Sequence, residues 1–413
     1  MTDADERLWR MGLEVVRKLQ ERGFEAYLVG GCARDRLLGR PLHDVDVATS
    51  AHPEQVAASF ERVIPTGLQH GTVTVMHEGT PFEVTTYRTE SGYSDARRPD
   101  SVAFVRDIRE DLARRDFTIN AMAAGLEGEW IDPYGGREDL SACIVRCVGD
   151  ADRRFGEDAL RMVRAIRFAA AFRFRLAKSV WRGIRSQAQR LRFVAMERIG
   201  AEWDKMMAGA DPDRACRLLA RSGLMAHLKE PLPAGLKAGM LAYRTAAEVG
   251  PKLRDIADTD ARWIAWLSRC GAEPEEAVRF CRTIRLSGKR EARIGQGVAF
   301  ARRMAVSPGD RATFITAVLD FGKPAASDWL AAIGAGTGNG HGHAALLKCL
   351  EELPADSVRQ LAVRGDELAR HWDRPAGPWV AKVLRSLLEE VAFGRLPNDN
   401  AALLRAAEAF KES

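Results

Sequence analysis

Two aspartates, Asp44 and Asp46, stand two residues apart in the run HDVDVAT (43–49). In an extended strand, side chains two apart project to one face. The spacing therefore sets two hard anionic oxygen donors side by side. Such donors suit Mg²⁺, which takes carboxylate and phosphate oxygens. In a two-metal reaction one ion activates an attacking hydroxyl and the other steadies a departing phosphate group. A D-x-D pair on an exposed strand reads the same way, so position matters. This pair follows Gly30-Gly31, at the end of the strand-like GFEAYLVGG (23–31), and a short helical run, CARDRLLG, closed by Gly39. Glycines let backbone amides approach phosphate, and a helix N-terminus favours anions. A third carboxylate has to come from a neighbouring strand. Glu83 in PFEVTTY is the candidate, on the side opposite Phe82 and Val84; an ordinary exposed strand glutamate remains the alternative.

A second cluster lies in GEDALRMVRAIRFAA (156–170), read as one helix from Asp158. With Asp158 at 0° and 100° per residue, Arg161 falls at ~300° and Arg164 at ~240°. Met162, Ile166, Val163 and Leu160 fall at ~40°, ~80°, ~140° and ~200°. Asp158, Arg161 and Arg164 thus share the side away from the apolar arc. Arg167, at ~180°, lands inside that arc and needs an acceptor or an escape to water. An amphipathic helix with solvated arginines would show the same periodicity. The surrounding residues 153–192 hold twelve Arg or Lys and two acids, a net of +10 in a chain of net +5. Charge focused in this way suits a polyanionic partner.

The elements that must position these residues divide the 413-residue chain unevenly. The first 150 residues mix strands and helices: a helix near 53–62, β-rich TVTVMHE and PFEVTTYRT split at Gly79-Thr80-Pro81, and a helix over EDLARRDFTINAMAA (110–124). The polar, basic SGYSDARRPDS (91–101) reads as a mobile loop. Beyond residue 150 strand signals fade and helical periodicity runs almost to the end. GAGTGNGHGH (334–343) interrupts it; His341 and His343 there lack the partner ligands of a metal site. Apolar residues at 46% allow a core without disulfides, and the seven cysteines form no C-x-x-C pair, as expected of reduced thiols in a cytoplasmic protein. The acidic start, MTDADERLWR, lacks a signal-peptide layout, and no apolar stretch is long enough to span a bilayer.

The motif GG-x-x-RD-x-LLGR-x-x-x-D-x-D-x-AT resembles the head motif of the class II tRNA nucleotidyltransferase and poly(A) polymerase family, within the polymerase β-like superfamily. RRDFTINAMA (114–123), IDPYGGREDL (131–140), GEDALRMVRAIRFAA and AMERIGAEWDKMM are similar to later family signatures, in order. RPAGPWVAKVLRSLLEEVAFGRLPNDNAAL (374–403) resembles the tail of the bacterial C-C-A-adding branch. The likeness is strong over the first 210 residues and weak over 220–355. Cys32-Ala33 departs from the common Ala-Val, a change between small apolar residues.

The resemblance implies an α+β fold, with a nucleotidyltransferase head over 1–150, a helical neck over 151–210, a helical body over 211–355 and a tRNA-binding tail over 356–413. It implies catalysis at Asp44, Asp46 and Glu83 with two Mg²⁺, the first two being the metal ligands. CTP and ATP are the implied substrates and the tRNA 3′ acceptor end the implied partner. Asp158 and Arg161 would read the base. Cytosine and adenine each offer an exocyclic amine to a carboxylate, whereas uracil and guanine present a carbonyl there and leave two acceptors unpaired. Gly30, Gly31, Arg34, Arg115 and Arg164 would hold triphosphate or ribose, with Arg167 touching the nucleotide or supporting the site. Arg115 could instead pair with Asp116. The 91–101 loop, with Arg97 and Arg98, would assist the switch from C to A, or be a plain surface loop. Poly(A) addition, CC-only addition, A-only addition and a non-catalytic tRNA-binding or chaperone role are the alternatives. The tail and the loop favour complete C-C-A addition, and the intact aspartates count against a non-catalytic role.

Overall fold

The computed structural model describes residues 2–91, 101–243, 252–334 and 340–411. They form two compact units, one of Met1–Met206 with Arg214–Pro231, the other of Met207–Asp213 with Leu232–Ser413.

The first unit opens with α1 (Asp3–Glu21), which starts where Thr2 and Asp5 cap one another's backbone amides. It buries Trp9, Met11, Val15, Val16 and Leu19. Then follow β1 (Ala26–Val29), α2 (Gly31–Leu37), β2 (Asp46–Thr49), α3 (Pro53–Ser59), β3 (Val63–Gly67), β4 (Thr72–His77) and β5 (Thr80–Thr86). β6 (Arg88–Ser91) and β7 (Ser101–Phe104) pair as a separate ribbon. α4 (Ile108–Ala113), β8 (Ala123–Ala124) and β9 (Trp130–Ile131) complete the sheet region. The mixed sheet runs β3-β4-β5-β2-β1-β8-β9. β2 and β5 are parallel, with Asp46 opposite Glu83; the other neighbours are antiparallel. Leu28, Val47, Phe82 and Val84 face the core built with α1. Val29, Ala48, Tyr87, Leu112 and Ala123 make the core on the other face. Asp46 shares the parity of Ala48, so α1 does not cover it.

The rest of this unit is mostly helical: α5 (Gly136–Ser141), β10 (Ile144–Val145), α6 (Ala151–Glu157), α7 (Leu160–Ala171), β11 (Arg175–Leu176), α8 (Lys178–Gln187), α9 (Met196–Ala208) and α10 (Pro212–Ser222). β10 and β11 form a short parallel pair, of which only β11 lies beyond residue 150.

The second unit contains α11 (Ala234–Tyr243), α12 (Thr259–Arg269), α13 (Pro274–Thr283), α14 (Gly288–Val306), α15 (Arg311–Gly334), α16 (Gly340–Glu351), α17 (Gly365–His371), α18 (Pro378–Ala392) and α19 (Asn400–Ala407). α15 kinks at Gly322 (φ 86°, ψ 160°), two residues before Pro324. Arg293 ties three elements by pairing with Asp258, Asp260 and Asp328. No helix among the described residues is long and apolar enough to cross a membrane. All seven cysteines are free.

Three local expectations are revised, and a fourth falls outside the described residues. The EDLARRDFTINAMAA helix stops at Arg114 and gives way to a turn and β8, because Ala123 pairs with Val29 in the sheet. The β4–β5 turn sits at Glu78-Gly79, since Thr80 and Pro81 pair with His77 and Met76. Of the Gly-rich run, residues 340–343 already belong to α16 and 335–339 lie outside the described residues. His343 meets the Leu330 carbonyl at 3.1 Å, a helix-to-helix contact. The 92–100 segment, with Arg97 and Arg98, also lies outside the described residues.

Candidate active site

An open cavity of about 540 Å³ in the first unit is lined by Gly30, Gly31, Arg34, Asp44, Asp46, Arg115, Asp158, Arg161, Arg164 and Arg167. Residues from the turn after β1, α2, the start of β2, the end of α4 and α7 thus meet in one place, though 137 positions separate Gly30 from Arg167. Glu83 does not line it; its backbone pairs with that of Asp46 on the adjacent strand, and Phe82 and Val84 point to the core. Asp44 lies two residues ahead of β2, not within it. Alternation nevertheless holds, with Val45 and Val47 buried, Asp44 exposed and Asp46 part-exposed.

The carboxylates crowd one another. Burial, then the charges of Asp44 and Glu83, raise Asp46 from 3.8 to about 6, against the opposing pull of Arg115. A divalent cation relieves this kind of repulsion. Among the described residues no group of three or more His, Cys, Asp or Glu side chains could hold a metal. Mg²⁺ is commonly bound by one or two carboxylates together with substrate phosphates, and Asp44 with Asp46 fits that mode.

Gly30 adopts φ 76°, ψ −125° at the start of α2, a conformation that L side chains rarely take. A Cβ there would also stand 2.8 Å from Nη1 of Arg115. Arg115 donates to Asp111 at 3.3 Å, and its buried Nε has no partner. Arg34 grips Asp35 through Nε and Nη2 and donates to Asn120 through Nη1 at 2.5 Å. Cys32 is buried behind this turn, where burial pushes its thiol up to about 12, so it acts as a small hydrophobe.

Asp158 is not in the helix that follows it. It ends α6 in an extended conformation (φ −140°, ψ 107°), and its Oδ1 accepts from the Leu160 amide at 3.0 Å. The 100° wheel therefore does not extend back to Asp158. The residues still gather, because this break lets Asp158 face the cavity that α7 borders. Arg161 is buried, not on a solvated side. Its guanidinium donates to Glu157 at 2.6 Å and to the carbonyls of Arg154 and Arg114, both at 3.2 Å. Arg167 finds the acceptor it needs in Glu202, at 2.5 Å.

Several participants escaped sequence reasoning. Arg198 on α9 holds the Asp158 carboxylate through two contacts of 2.8 and 3.3 Å. Asp116 pairs with Arg164 at 2.7 Å, and Arg115 pairs with Asp111; the alternative Arg115–Asp116 pair is not formed. Burial would raise the Asp116 carboxyl, but the Arg164 charge and the Asn120 and Arg164 hydrogen bonds hold it down to about 2. Glu90, Arg114, Asn120 and Phe168 also line the cavity. The only signal for Arg198, Asp116 and Glu202 was their place inside RRDFTINAMA and AMERIGAEW.

A second cavity of about 630 Å³ in the same unit has an apolar floor of Ala169, Phe174, Leu176, Trp181 and Leu218. Arg175, Lys178, Arg182, Arg185 and Arg221 line it and are exposed. Among the described residues these five make no ion pair, whereas arginines of the first cavity are largely answered by acids. Arg175, Lys178, Arg182 and Arg185, four of the twelve cations of the 153–192 segment, are therefore placed to meet an anion.

Comparison with known proteins agrees with this geometry. Residues 26–146 match the model of the poly(A) polymerase head domain, 173–234 that of the "Probable RNA and SrmB-binding site of polymerase A", and 254–407 that of tRNA nucleotidyltransferase domain 2. The chain is 39% identical over 393 residues to the CCA-adding enzyme of Geobacillus thermodenitrificans, covering 95% of this chain and 94% of the relative. It is 38% identical over 389 residues to that of Geobacillus stearothermophilus, covering 94% and 93%. The crystal structure of the Bacillus stearothermophilus CCA-adding enzyme in complex with CTP superposes with a TM-score of 0.84 at 35% identity, covering 100% of this chain and 98% of the other. The chain belongs to the CCA-adding enzyme family.

Proposed function

We infer that this chain adds C, C and A to the 3′ end of tRNA, using CTP and ATP and releasing pyrophosphate. The observation that carries this is one cavity combining Asp44 and Asp46, a set of arginines, and Asp158 with Arg161, in a chain 39% identical to a CCA-adding enzyme. In each addition the terminal 3′-hydroxyl oxygen bonds to the α-phosphorus of the nucleotide. The bond from that phosphorus to the β-phosphate oxygen breaks, and the hydroxyl proton is lost.

Asp44 and Asp46 are the residues that would hold Mg²⁺, with Glu83 adding negative charge from the next strand. When bound, the ion supplies acidification of the attacking hydroxyl and charge neutralisation at the triphosphate. Gly30 keeps the turn into α2 free of a side chain, so the nucleotide phosphates approach the backbone amides at the head of that helix. Arg34, Arg115 and Arg164 face the triphosphate and ribose with guanidinium edges suited to phosphate oxygens; Arg167, braced by Glu202, lends further positive charge.

Asp158 accepts the exocyclic amine of C or A, and Arg161 donates to a ring nitrogen or to cytosine O2. Template reading is thereby replaced by two side chains whose orientation is set by Arg198 and Glu157. The exposed, unpaired cations of the second cavity support contact with the tRNA phosphate backbone, which is common to tRNAs of different sequence. We assign residues 1–150 to the catalytic head, 151–210 to the neck, 211–355 to the body and 356–413 to the tRNA-binding tail. The substrates and free thiols suit the cytoplasm, where we place the chain.

The test uses tRNAs ending at the discriminator base, at C and at C-C, with CTP and ATP supplied separately and together. Completion of C-C-A on all three, with no further growth, is expected. Long A tails would indicate a poly(A) polymerase, arrest after C-C a CC-only enzyme, and extension of the C-C-ended tRNA alone an A-only enzyme.

A further inference from the structure

Phe168 sits where three arginines of the nucleotide cavity converge. Its ring is 4% exposed and lines the cavity. The guanidinium of Arg167 lies 4.0 Å from the ring centre, and those of Arg34 and Arg164 each lie 5.3 Å away. All three distances are within the ~6 Å reach of a cation–π attraction. Behind it, Phe117 meets the ring edge-on at 5.7 Å and Phe172 stacks on it at 5.7 Å with an 11° tilt. Phe172 carries Arg34 as well, at 4.7 Å.

Three like charges gathered around one buried ring repel one another. Each also has a carboxylate partner: Asp35 for Arg34, Asp116 for Arg164 and Glu202 for Arg167, with Glu202 also 3.7 Å from Arg164. Further acids would calm the repulsion, but they would consume the N–H groups and cancel the charge that attracts a triphosphate. An aromatic ring acts differently. It attracts a guanidinium through its negatively charged faces, so it takes up none of the N–H groups left over from Asp35, Asn120, Asp116 and Glu202, and it adds no negative charge.

We propose that Phe168 is a positioning residue for the incoming nucleotide, holding Arg34, Arg164 and Arg167 by their faces so that their edges and charge serve the triphosphate. The ring acts through the arginines and touches neither base nor reacting atoms. Its contribution is therefore to nucleotide affinity, equal for CTP and ATP, with base choice and the chemical step left alone. The inference rests on reading this cavity as the nucleotide site.

The test compares Phe168→Leu and Phe168→Met, which keep an apolar side chain without a ring, with Phe168→Tyr, which keeps the ring. KM for CTP and for ATP, kcat, equilibrium CTP binding, tRNA binding and the thermal midpoint are measured on the full chain. Leu and Met are expected to raise both KM values by the same factor, about tenfold for weakened cation–π contacts, and to weaken CTP binding equally. Their kcat should stay within about twofold and tRNA binding should not change; Tyr should recover most of the affinity. Should Leu fail to fold, Met carries the comparison. Unchanged KM in Leu and Met overturns the proposal. So does an equal loss in Tyr, or a loss that follows the thermal midpoint alone, since either would mean packing only. A wild-type chain that incorporates neither CTP nor ATP would instead overturn the reading of the cavity, whatever the variants do.

Discussion

Replacing Asp46 by asparagine should make the metal-free protein more stable while abolishing nucleotide addition. Burial and the neighbouring charges of Asp44 and Glu83 lift the Asp46 carboxyl from 3.8 to about 6. That shift of about two units corresponds to a ceiling of about 3 kcal/mol of folding free energy lost to keeping the group charged. Asp46 is part-exposed, and solvent screening should bring the measurable effect to about 1–2 kcal/mol. The folded protein holds this proton more tightly than the unfolded chain. The penalty is therefore absent below the unfolded value of 3.8, grows between 3.8 and about 6, and is complete above. Asparagine has nearly the same shape and no charge, so its advantage over wild type should widen from pH 5 to pH 8. Thermal unfolding in EDTA at both pH values reads this directly, because 1 kcal/mol moves the midpoint of a unit of this size by about 2–4 °C. Added Mg²⁺ should narrow the gap by stabilising wild type more than the variant, since an ion that binds only the folded wild type adds to its stability. A gap that does not change between pH 5 and pH 8, or a variant less stable than wild type at pH 8, would refute the electrostatic account.

Asp158→Ala should relax base choice, so that UTP or GTP enters where CTP and ATP alone did; primer extension with each nucleotide singly checks this, and unchanged selectivity counts against protein-directed reading. Arg198→Met should free the Asp158 carboxylate from its contacts at 2.8 and 3.3 Å, loosening discrimination in the same assay while tRNA affinity, by filter binding, stays put. Gly30→Ala forces a Cβ to within 2.8 Å of Arg115 at φ 76°; a stability loss of about 1–3 kcal/mol in urea unfolding and a raised KM for both nucleotides are expected. Asp116→Ala leaves the half-buried Arg164 with only the longer Glu202 contact at 3.7 Å and should cost about 1–3 kcal/mol. Because Asp116 is held down to about 2, its pair with Arg164 stabilises the fold above the ordinary 3.8 and is lost as pH falls through about 2, so acid unfolding of wild type and variant should converge there.

Much of this protein was written in local sequence. Asp44 and Asp46 could be found because alternation along a short run is a backbone property, and it survived even though Asp44 lies ahead of the strand proper. Gly30-Gly31 and the helix ended at Leu38 were legible for the same reason, since a glycine at positive φ and a capped turn depend on few neighbours. Periodicity alone misplaced Asp158. The helix is interrupted between Glu157 and Leu160, where the Asp158 side chain bonds the Leu160 amide and competes with the helix for that donor. Likewise the run after Arg114 has helical composition, yet Ala123 is recruited by β1 because pairing with the sheet edge outweighs local propensity. Tertiary structure alone decided who answers three of the charges: Asp116 for Arg164, Arg198 for Asp158 and Glu202 for Arg167. Those partners lie up to 48 residues apart, as Asp116 and Arg164 do, and no spacing rule reaches that far. The convergence of Arg34, Arg164 and Arg167 on Phe168 was equally invisible. It arises because α2 and α7 pack across the cavity, and a buried cation must find its acceptor or its ring in whatever the fold brings near.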